Sequence, residues 1–285
     1  MMSSCWQVTF NGAPDNTPAW EDFLDGFFEV NACNYADDGS DQYVGYLNKP
    51  FNEAELRLAA RQAGLSLPPF KVEHLESSNW LKDYVIQFPP FEVAGFMIYG
   101  IHETAAPQTN KIPLQIYAAT AFGSDHQTTR SCLQAISDLY QKGFKPQQLL
   151  DVGTGSGILS LASGKLWPRA RITAVDIDQE AVWVTESNAA NNGILLTAAA
   201  SDGYTAPEVR KNAPFDLILA NILARPLIAM APDMAQNLKP GGYAVISGFV
   251  DEQAEWVLSE HFTRGLQLVR LYELDNWRAA LLQKA

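Results

Sequence analysis

Short apolar runs alternate with amphipathic ones along the first hundred or so residues, a quick succession of strand and helix signals. Cys5 to Phe10 and Gln42 to Leu47 read as strands, and Thr17 to Phe28 as a helix whose first turn suits Pro18. Asn52 is placed to cap the amphipathic stretch NEAELRLAARQAGL, in which Ala54, Leu58, Ala59 and Leu65 fall near helical spacing and Gly64 weakens the end. A further strand is expected over Phe70 to Leu75. This order of elements suits a small α+β, ferredoxin-like layer. From Ser77 to Pro113 the pattern changes to aromatics and prolines, with Phe96 to Ile101 extended, and reads as a connector. Trp80, Tyr84 and Phe88 recur every four residues there, better explained as cover for a domain contact than as ligand-stacking rings.

The rest of the chain repeats a strand and helix unit. A helix from Thr128 carries Cys132, Leu133, Ile136 and Leu139 on one face, after a turn at Gly123, Ser124 and Asp125. Leu149, Leu150 and Val152 suit a strand buried on both faces, and further strands are expected at Ile172 to Val175, Leu195 to Ala200, Phe215 to Ala220 and Tyr243 to Gly248. Helices fall at Gln179 to Asn192 with Asp178 as N-cap, about Pro226 to Asn237, and Asp251 to Phe262, with LKPGG as the turn into the fifth strand. Leu266 to Leu274 and Trp277 to Gln283 close the chain as two strands about a short polar turn. The result is a doubly wound, mostly parallel sheet with an antiparallel hairpin at its edge.

Candidate chemistry gathers after the first of these parallel strands. Gly153, Gly155 and Gly157 make a loop whose bare backbone can approach a ligand, with the next helix directing its amides at it. Asp176, 19 residues beyond Gly157, stands where an acid accepts hydrogen bonds from both ribose hydroxyls. The dinucleotide pattern GxGxxG is only partly met, since Ile158 or Ser160 occupies its last slot, which weakens a nicotinamide reading. Asn221 ends the fourth strand at the carboxyl edge, where open α/β sheets bind ligands. Asp202, after the third strand, suits either an adenine amino group or a turn before Gly203. Thr128 and Thr129 either cap their helix or close over the neighbouring ligand, and His126 is a possible base but more in keeping with a hydrogen-bonded turn residue.

Composition narrows the class. The 285 residues are 47% apolar, enough for proper cores, and the net charge of -12 opposes nonspecific binding to nucleic acid or anionic membranes. Three scattered cysteines, Cys5, Cys33 and Cys132, offer neither a disulfide framework nor a metal spacing, and read as reduced, mostly buried thiols. The longest apolar candidate, Phe215 to Ala231, is interrupted by Asn221 and Arg225, and MMSSCWQ lacks the features of a signal peptide, so a cytoplasmic protein is expected.

The acid-GxGxG loop, the VDID strand end and the LKPGG turn before a terminal hairpin resemble a class I S-adenosylmethionine-dependent methyltransferase. AFG...HxTT at Ala121 to Thr129, DVGTGSGILS at Asp151 to Ser160, AVDID at Ala174 to Asp178 and DLILANILARPL at Asp216 to Leu227 are similar to the PrmA family, whose members methylate ribosomal protein eleven of the large subunit. The resemblance implies a Rossmann-like methyltransferase domain over residues 114–285, a connector over 78–113 and a substrate-recognition domain over 1–77. It implies S-adenosylmethionine as cofactor, held by Thr129, Gly153, Asp176 and Asn221, to which the reading of the residues adds Gly155 and Asp202, and the ribosomal protein as partner; no metal is expected. Asn221 is also the candidate for orienting the acceptor amine. In one place the chain departs from the family: FGSDHQTT is one residue shorter than FGTGxHxTT and puts Asp125 near a glycine position. Cofactor binding without turnover is the alternative that departure keeps open, and methylation of another protein's lysine by an enzyme of the same fold is a second alternative.

Overall fold

A computed structural model of the chain describes residues 5–12, 17–28, 30–35, 41–47, 49–75, 88–103, 107–117 and 126–285. Trp80, Tyr84 and the turn at Gly123 to Asp125 lie outside them. The chain divides into two compact units, Met1–Tyr84 and Val85–Ala285.

The first unit runs β1 (Cys5–Asn11), α1 (Thr17–Phe27), β2 (Val30–Tyr35), β3 (Asp41–Leu47), α2 (Glu53–Gln62) and β4 (Phe70–Leu75). Its sheet has the order β2-β3-β1-β4 and is antiparallel throughout. Each strand-helix-strand unit is thus split by another strand, which is the ferredoxin-like arrangement expected. Trp20, Phe23 and Leu24 of α1 share a helical face and are buried with Val8 and Phe10 of β1 and with Leu56 and Ala60 of α2. The β2 strand, VNACNY, carries too little alternation to be foreseen.

The α2 helix begins where expected, with the Asn52 side chain accepting from the amides of Ala54 and Glu55. Its buried face is only partly the expected one: Leu65 is buried and Ala59 packs against the same core, but the centre of the face is elsewhere. Leu56 and Ala60, one turn apart, are fully buried, whereas Ala54 is exposed and Leu58 is 57% exposed. Two apolar stripes compete on this helix, and the sheet takes the one that brings Leu56 onto Val8 and Phe10.

The second unit opens with a small sheet, β5 (Phe91–Val93), β6 (Phe96–Gly100) and β7 (Ile112–Ile116), of which β5, β6 and the start of β7 fall in the stretch read as a connector. Then follow α3 (Gln127–Gln141), β8 (Gln148–Val152), α4 (Ile158–Leu166), β9 (Arg171–Asp176), α5 (Gln179–Asn191), β10 (Thr197–Ala200), α6 (Pro207–Asn212), β11 (Phe215–Asn221), α7 (Ala224–Ala229), α8 (Ala231–Asn237), β12 (Leu238–Val250), α9 (Asp251–Thr263), β13 (Leu266–Leu274) and β14 (Trp277–Lys284). The seven strands from β8 onward form one sheet in the order β10-β9-β8-β11-β12-β14-β13, parallel from β10 to β12, with β14 antiparallel to both its neighbours.

Burial on both faces explains the unbroken apolar runs. Leu149, Leu217 and Val245 face one core, shared with α3, α4 and the β6 and β7 strands, while their neighbours Leu150, Ile218 and Ala244 face another, shared with α7, α8 and α9. Two expectations are corrected here. The helix read as Pro226 to Asn237 is two helices joined at Met230, because Pro232 has no amide to donate back to Ile228. LKPGG is the start of the long β12 strand, not a turn before it: Phe215 pairs with Leu238 and Leu217 with Tyr243, so a shift of register absorbs Lys239 to Gly242, with Gly241 at φ 75. Among the described residues no helix is long and apolar enough to cross a membrane.

The α2 register makes a direct test. Leu56→Ala is expected to destabilise the first unit by about 2 to 5 kcal/mol and Leu58→Ala by no more than about 0.5 kcal/mol, as read by urea unfolding. Equal costs at the two positions would mean the helix is turned otherwise.

Candidate active site

The carboxyl end of β8 sets the site. Val152 leads into Gly153, Gly155 and Gly157, all at positive φ, 71, 54 and 78. Only glycine takes such a succession without strain. A Cβ on Gly153 would fall on the Ile222 side chain, so the residue after Asn221 packs directly against the loop. Gly157 caps α4 without any side-chain hydrogen bond, leaving the Ile158 and Leu159 amides for another acceptor while the Ser160 amide turns to Asp151.

Asp151, beneath the loop, is 1% exposed and accepts from the hydroxyls of Thr154 at 3.1 Å and Ser160 at 2.7 Å. Burial pushes its carboxyl up to about 6, against the pull of those hydrogen bonds and helped by the nearby Asp176. Its role is to hold the turn, not to meet a ligand. The expected ligand acid, Asp176, ends β9, where Oδ2 accepts from the Gly155 amide at 2.9 Å and Oδ1 from the Asp178 amide at 3.1 Å. A carboxylate has about four lone-pair positions, so two remain for a pair of hydroxyls. Asp178 caps α5 through the Glu180 amide at 2.8 Å, as read from the sequence.

The other sequence candidates lie along the same edge. Asn221 ends β11, and its Nδ2 donates to Thr129 Oγ1 at 3.1 Å, joining positions 92 apart in sequence. The cap of α3 is His126, not Thr128 or Thr129: its Nδ1 lies 3.3 Å from the Thr128 amide and 3.0 Å from the Thr128 hydroxyl. That leaves Thr129, inside the first turn, turned toward Asn221. Asp202 is exposed beside Ser201, whose amide donates to the Asp176 carbonyl at 2.7 Å. The turn there is made by Ser201, whose hydroxyl donates to the Gly203 carbonyl and accepts from the Ala206 amide, so Asp202 is not needed for it. All six candidates thus stand in one row: Asp202 next to Asp176, Asp176 on Gly155, Gly153 against Ile222, and Asn221 on Thr129.

Three neighbours escaped the sequence reading. Ser247 pairs with Asn221 across β11 and β12 and accepts from the Ile222 amide at 3.0 Å. Gly248, at φ 99, leaves room for the Ile222 carbonyl, on which a Cβ would fall. Trp277, at the start of β14, meets the His126 ring edge-on at 4.7 Å, and Gln127 donates to Asp275 at 3.2 Å, so the terminal hairpin turn reaches the start of α3. Because β14 runs antiparallel to β12, its first residue lies at the carboxyl edge; the hairpin pattern alone carried that signal. Cys132 is a free, buried thiol raised to about 12 by burial, against the pull of a hydrogen bond with Ser247. Two clefts among the described residues, lined by Gly164, Trp167 and Leu195 and by Phe144, Gln147 and Ala170, open at or toward the amino end of the sheet, away from this row.

A family model described as ribosomal protein L11 methyltransferase (PrmA) matches residues 27–285. A ribosomal protein L11 methyltransferase of Rhodopseudomonas palustris is 34% identical over 268 residues, spanning 93% of this chain and 90% of the relative. Another, from Brucella suis, is 37% identical over 230 residues, 79% of this chain and 80% of the relative. Among solved structures, a ribosomal protein L11 methylase from Lactobacillus delbrueckii subsp. bulgaricus superposes with a TM-score of 0.58 at 27% identity, over 67% of this chain and 94% of that one.

Desolvation of Asp151 sets a pH dependence whose sign follows from its raised carboxyl. Between about pH 4, where the unfolded carboxyl titrates, and about pH 6, where the folded one does, the folded state holds a proton that the unfolded state has lost. This group's contribution to stability therefore falls as pH rises through that window. Asp151→Asn removes the slope, so the stability of the variant relative to the parent is expected to climb by up to roughly 3 kcal/mol across the window and then level off. A difference that stays flat in urea unfolding from pH 4 to pH 7 would mean that the carboxyl is not desolvated in this way.

Proposed function

The chain belongs to the ribosomal protein L11 methyltransferase (PrmA) family, and from that premise we infer that it transfers methyl groups from S-adenosylmethionine to amino groups of ribosomal protein L11, on lysine side chains, the N-terminal amine or both. The observation that carries this reading is the single row at the carboxyl edge, in which the glycine loop and Asp176 stand at one end and the Thr129 and Asn221 pair at the other. The first unit is assigned to recognition of the ribosomal protein, and the cytoplasm is the place of action that such a substrate requires.

The residues fit the cofactor. The amides of Ser156, Ile158 and Leu159, where the glycine loop runs into α4, suit its carboxylate end, those of Gly153, Thr154, Gly155 and Gly157 being taken by Val175, Asp176 and Thr154. The two spare lone-pair positions of Asp176 suit the ribose hydroxyls, and Asp202 lies next along the edge for the adenine amino group. S-adenosylmethionine, when bound, supplies an electrophilic methyl carbon for an in-line displacement.

The chain's own work is alignment and exclusion of water. A lysine amine with a pKa near 10.4 is neutral in only about one molecule in a few thousand at pH 7, so the site has to favour the uncharged form. Asn221 is suited to this. With Nδ2 committed to Thr129 Oγ1, its carbonyl oxygen is the atom left to accept an amine hydrogen. Accepting that hydrogen would hold the amine neutral and turn its lone pair away from Asn221, the orientation an in-line displacement would use. No nucleophilic protein residue is required.

The first measurement is transfer of labelled methyl from S-adenosylmethionine to ribosomal proteins, with products resolved by mass spectrometry. Label is expected on ribosomal protein L11; its absence there, with cofactor binding confirmed, would overturn the assignment of substrate. Asn221→Ala is expected to lower kcat by about tenfold or more while cofactor Kd stays within about threefold. Asp176→Ala should instead raise cofactor Kd by about 10- to 100-fold, each charged hydrogen bond contributing about 1.5 to 3 kcal/mol. A full-turnover Asn221→Ala enzyme would remove Asn221 from the acceptor role.

A further inference from the structure

Helix α5 carries a fully buried asparagine in its interior, Asn188, and a half-buried one at its C-cap, Asn192, and both turn their carboxamides to main chain. Asn188 has no exposed surface, and its carboxamide makes three hydrogen bonds: Oδ1 accepts from the Tyr117 amide at 2.7 Å, and Nδ2 donates to the Tyr117 carbonyl at 3.0 Å and to the Ser156 carbonyl at 2.8 Å. Asn192, one turn on, repeats the fork on Gln115, accepting from its amide at 3.0 Å and donating to its carbonyl at 2.7 Å. The match is geometric. Four helical residues rise about 6 Å and two strand residues about 6.6 to 6.8 Å, so consecutive turns of the helix meet alternate residues of the β7 strand and its continuation. The asparagines take the place of a neighbouring strand.

Only Asn188 reaches further. Its third bond goes to the glycine loop, and Thr185, one turn earlier on the same face, donates to the Gly155 carbonyl at 3.0 Å. The carbonyls of Gly155 and Ser156 are thereby drawn into α5, and the loop is fixed to the backbone of Tyr117, nine residues ahead of His126 in the chain. We propose that Asn188 is a positioning residue for methyl transfer, setting the glycine loop against the Tyr117 backbone so that the two sides of the site keep one spacing. This rests on the methyltransferase reading of the site. Asn192 makes the comparison, because it holds the same strand and does not touch the loop.

The test compares Asn188→Asp, which keeps the acceptor and loses both donated bonds, with Asn192→Ala. Melting temperature, S-adenosylmethionine Kd by calorimetry and kcat on ribosomal protein L11 are measured where each protein is folded. Asn192→Ala is expected to lower the melting temperature while Kd and kcat stay within about threefold, and Asn188→Asp to lose about tenfold or more in kcat/KM for the cofactor, the scale set by a small misplacement of reacting groups. Values for Asn188→Asp within threefold of the parent, or losses in both variants that simply follow their melting temperatures, would overturn the proposal. A parent enzyme that labels no ribosomal protein would count against the functional reading alone. The clamp is then judged by hydrogen exchange, in which Asn188→Asp, which still accepts from the Tyr117 amide, should speed the amides of the glycine loop, and Asn192→Ala should leave the loop amides as they are. Loop amides unchanged by Asn188→Asp would again overturn it.

Discussion

Everything at the functional edge depends on one topological reversal. From β8 the chain moves outward to β9 and β10 on one side, and β11 later returns to pair with β8 on the other. Right-handed crossovers then place α4 and α5 on one face of the sheet and the helices after β11 on the opposite face. The segments leaving β8 and β11 diverge at their carboxyl ends, and the crevice between them is where an open α/β sheet binds its ligand. Gly153 and Ile222 touch at the point of divergence. Without a Cβ on Gly153 and Gly248 the two exits fit side by side, and Asn221 is brought within reach of Thr129.

Hydrogen bonding then decides which way the loop's polar groups face. Buried polar groups need partners, and here the partners lie behind the loop: Asp151 beneath it for two hydroxyls, Thr185 and Asn188 beside it for two carbonyls. The amides of Gly153, Thr154, Gly155 and Gly157 are engaged as well, by the Val175 carbonyl, the Asp176 carboxylate and the Thr154 carbonyl, so what the loop can offer to a ligand narrows to the Ser156 amide and the start of α4. The cost falls on Asp151, whose desolvated carboxyl sits far above its ordinary range. The amino end of the same sheet shows the opposite balance. Asp216 is partly buried there, which works to raise it, yet Lys239 and the amides of Gln147 and Gln148 together hold it below the usual carboxylate range. One acid is kept for support of a loop and the other for cross-bracing strands.

The sequence was most informative where the backbone conformation demanded one residue type. Three glycines in five residues, an acid ending the next strand and Asn221 ending another were all legible, and the structure brings them to one edge of the sheet. Strands buried on both faces were equally plain from runs such as Leu149 to Val152. Failures came where two patterns were nearly equivalent. On α2 either Ala54 with Leu58 or Leu56 with Ala60 makes an apolar stripe, and only packing against Phe10 and Val8 decides between them. At Met230 a helix continuous by composition is broken by a missing amide, and in β12 a glycine pair that looks like a turn is accommodated as a shift of register.

A different limit explains why Asn188, Ser247 and Trp277 were missed. Residues that meet a ligand directly carry their signal in their own type and position, since the ligand's chemistry selects them. Residues that position others act on backbone groups, and a backbone amide or carbonyl has no letter in the sequence. Asn188 lies 71 positions from the Tyr117 backbone it pairs with, and no local pattern distinguishes it from a polar residue facing water. What marks it is a contradiction between levels: a poor helix former kept inside a helix, with no exposed surface. Such a side chain has to be satisfied by something specific, and in this fold the partners it finds are the two main-chain segments whose spacing the site requires.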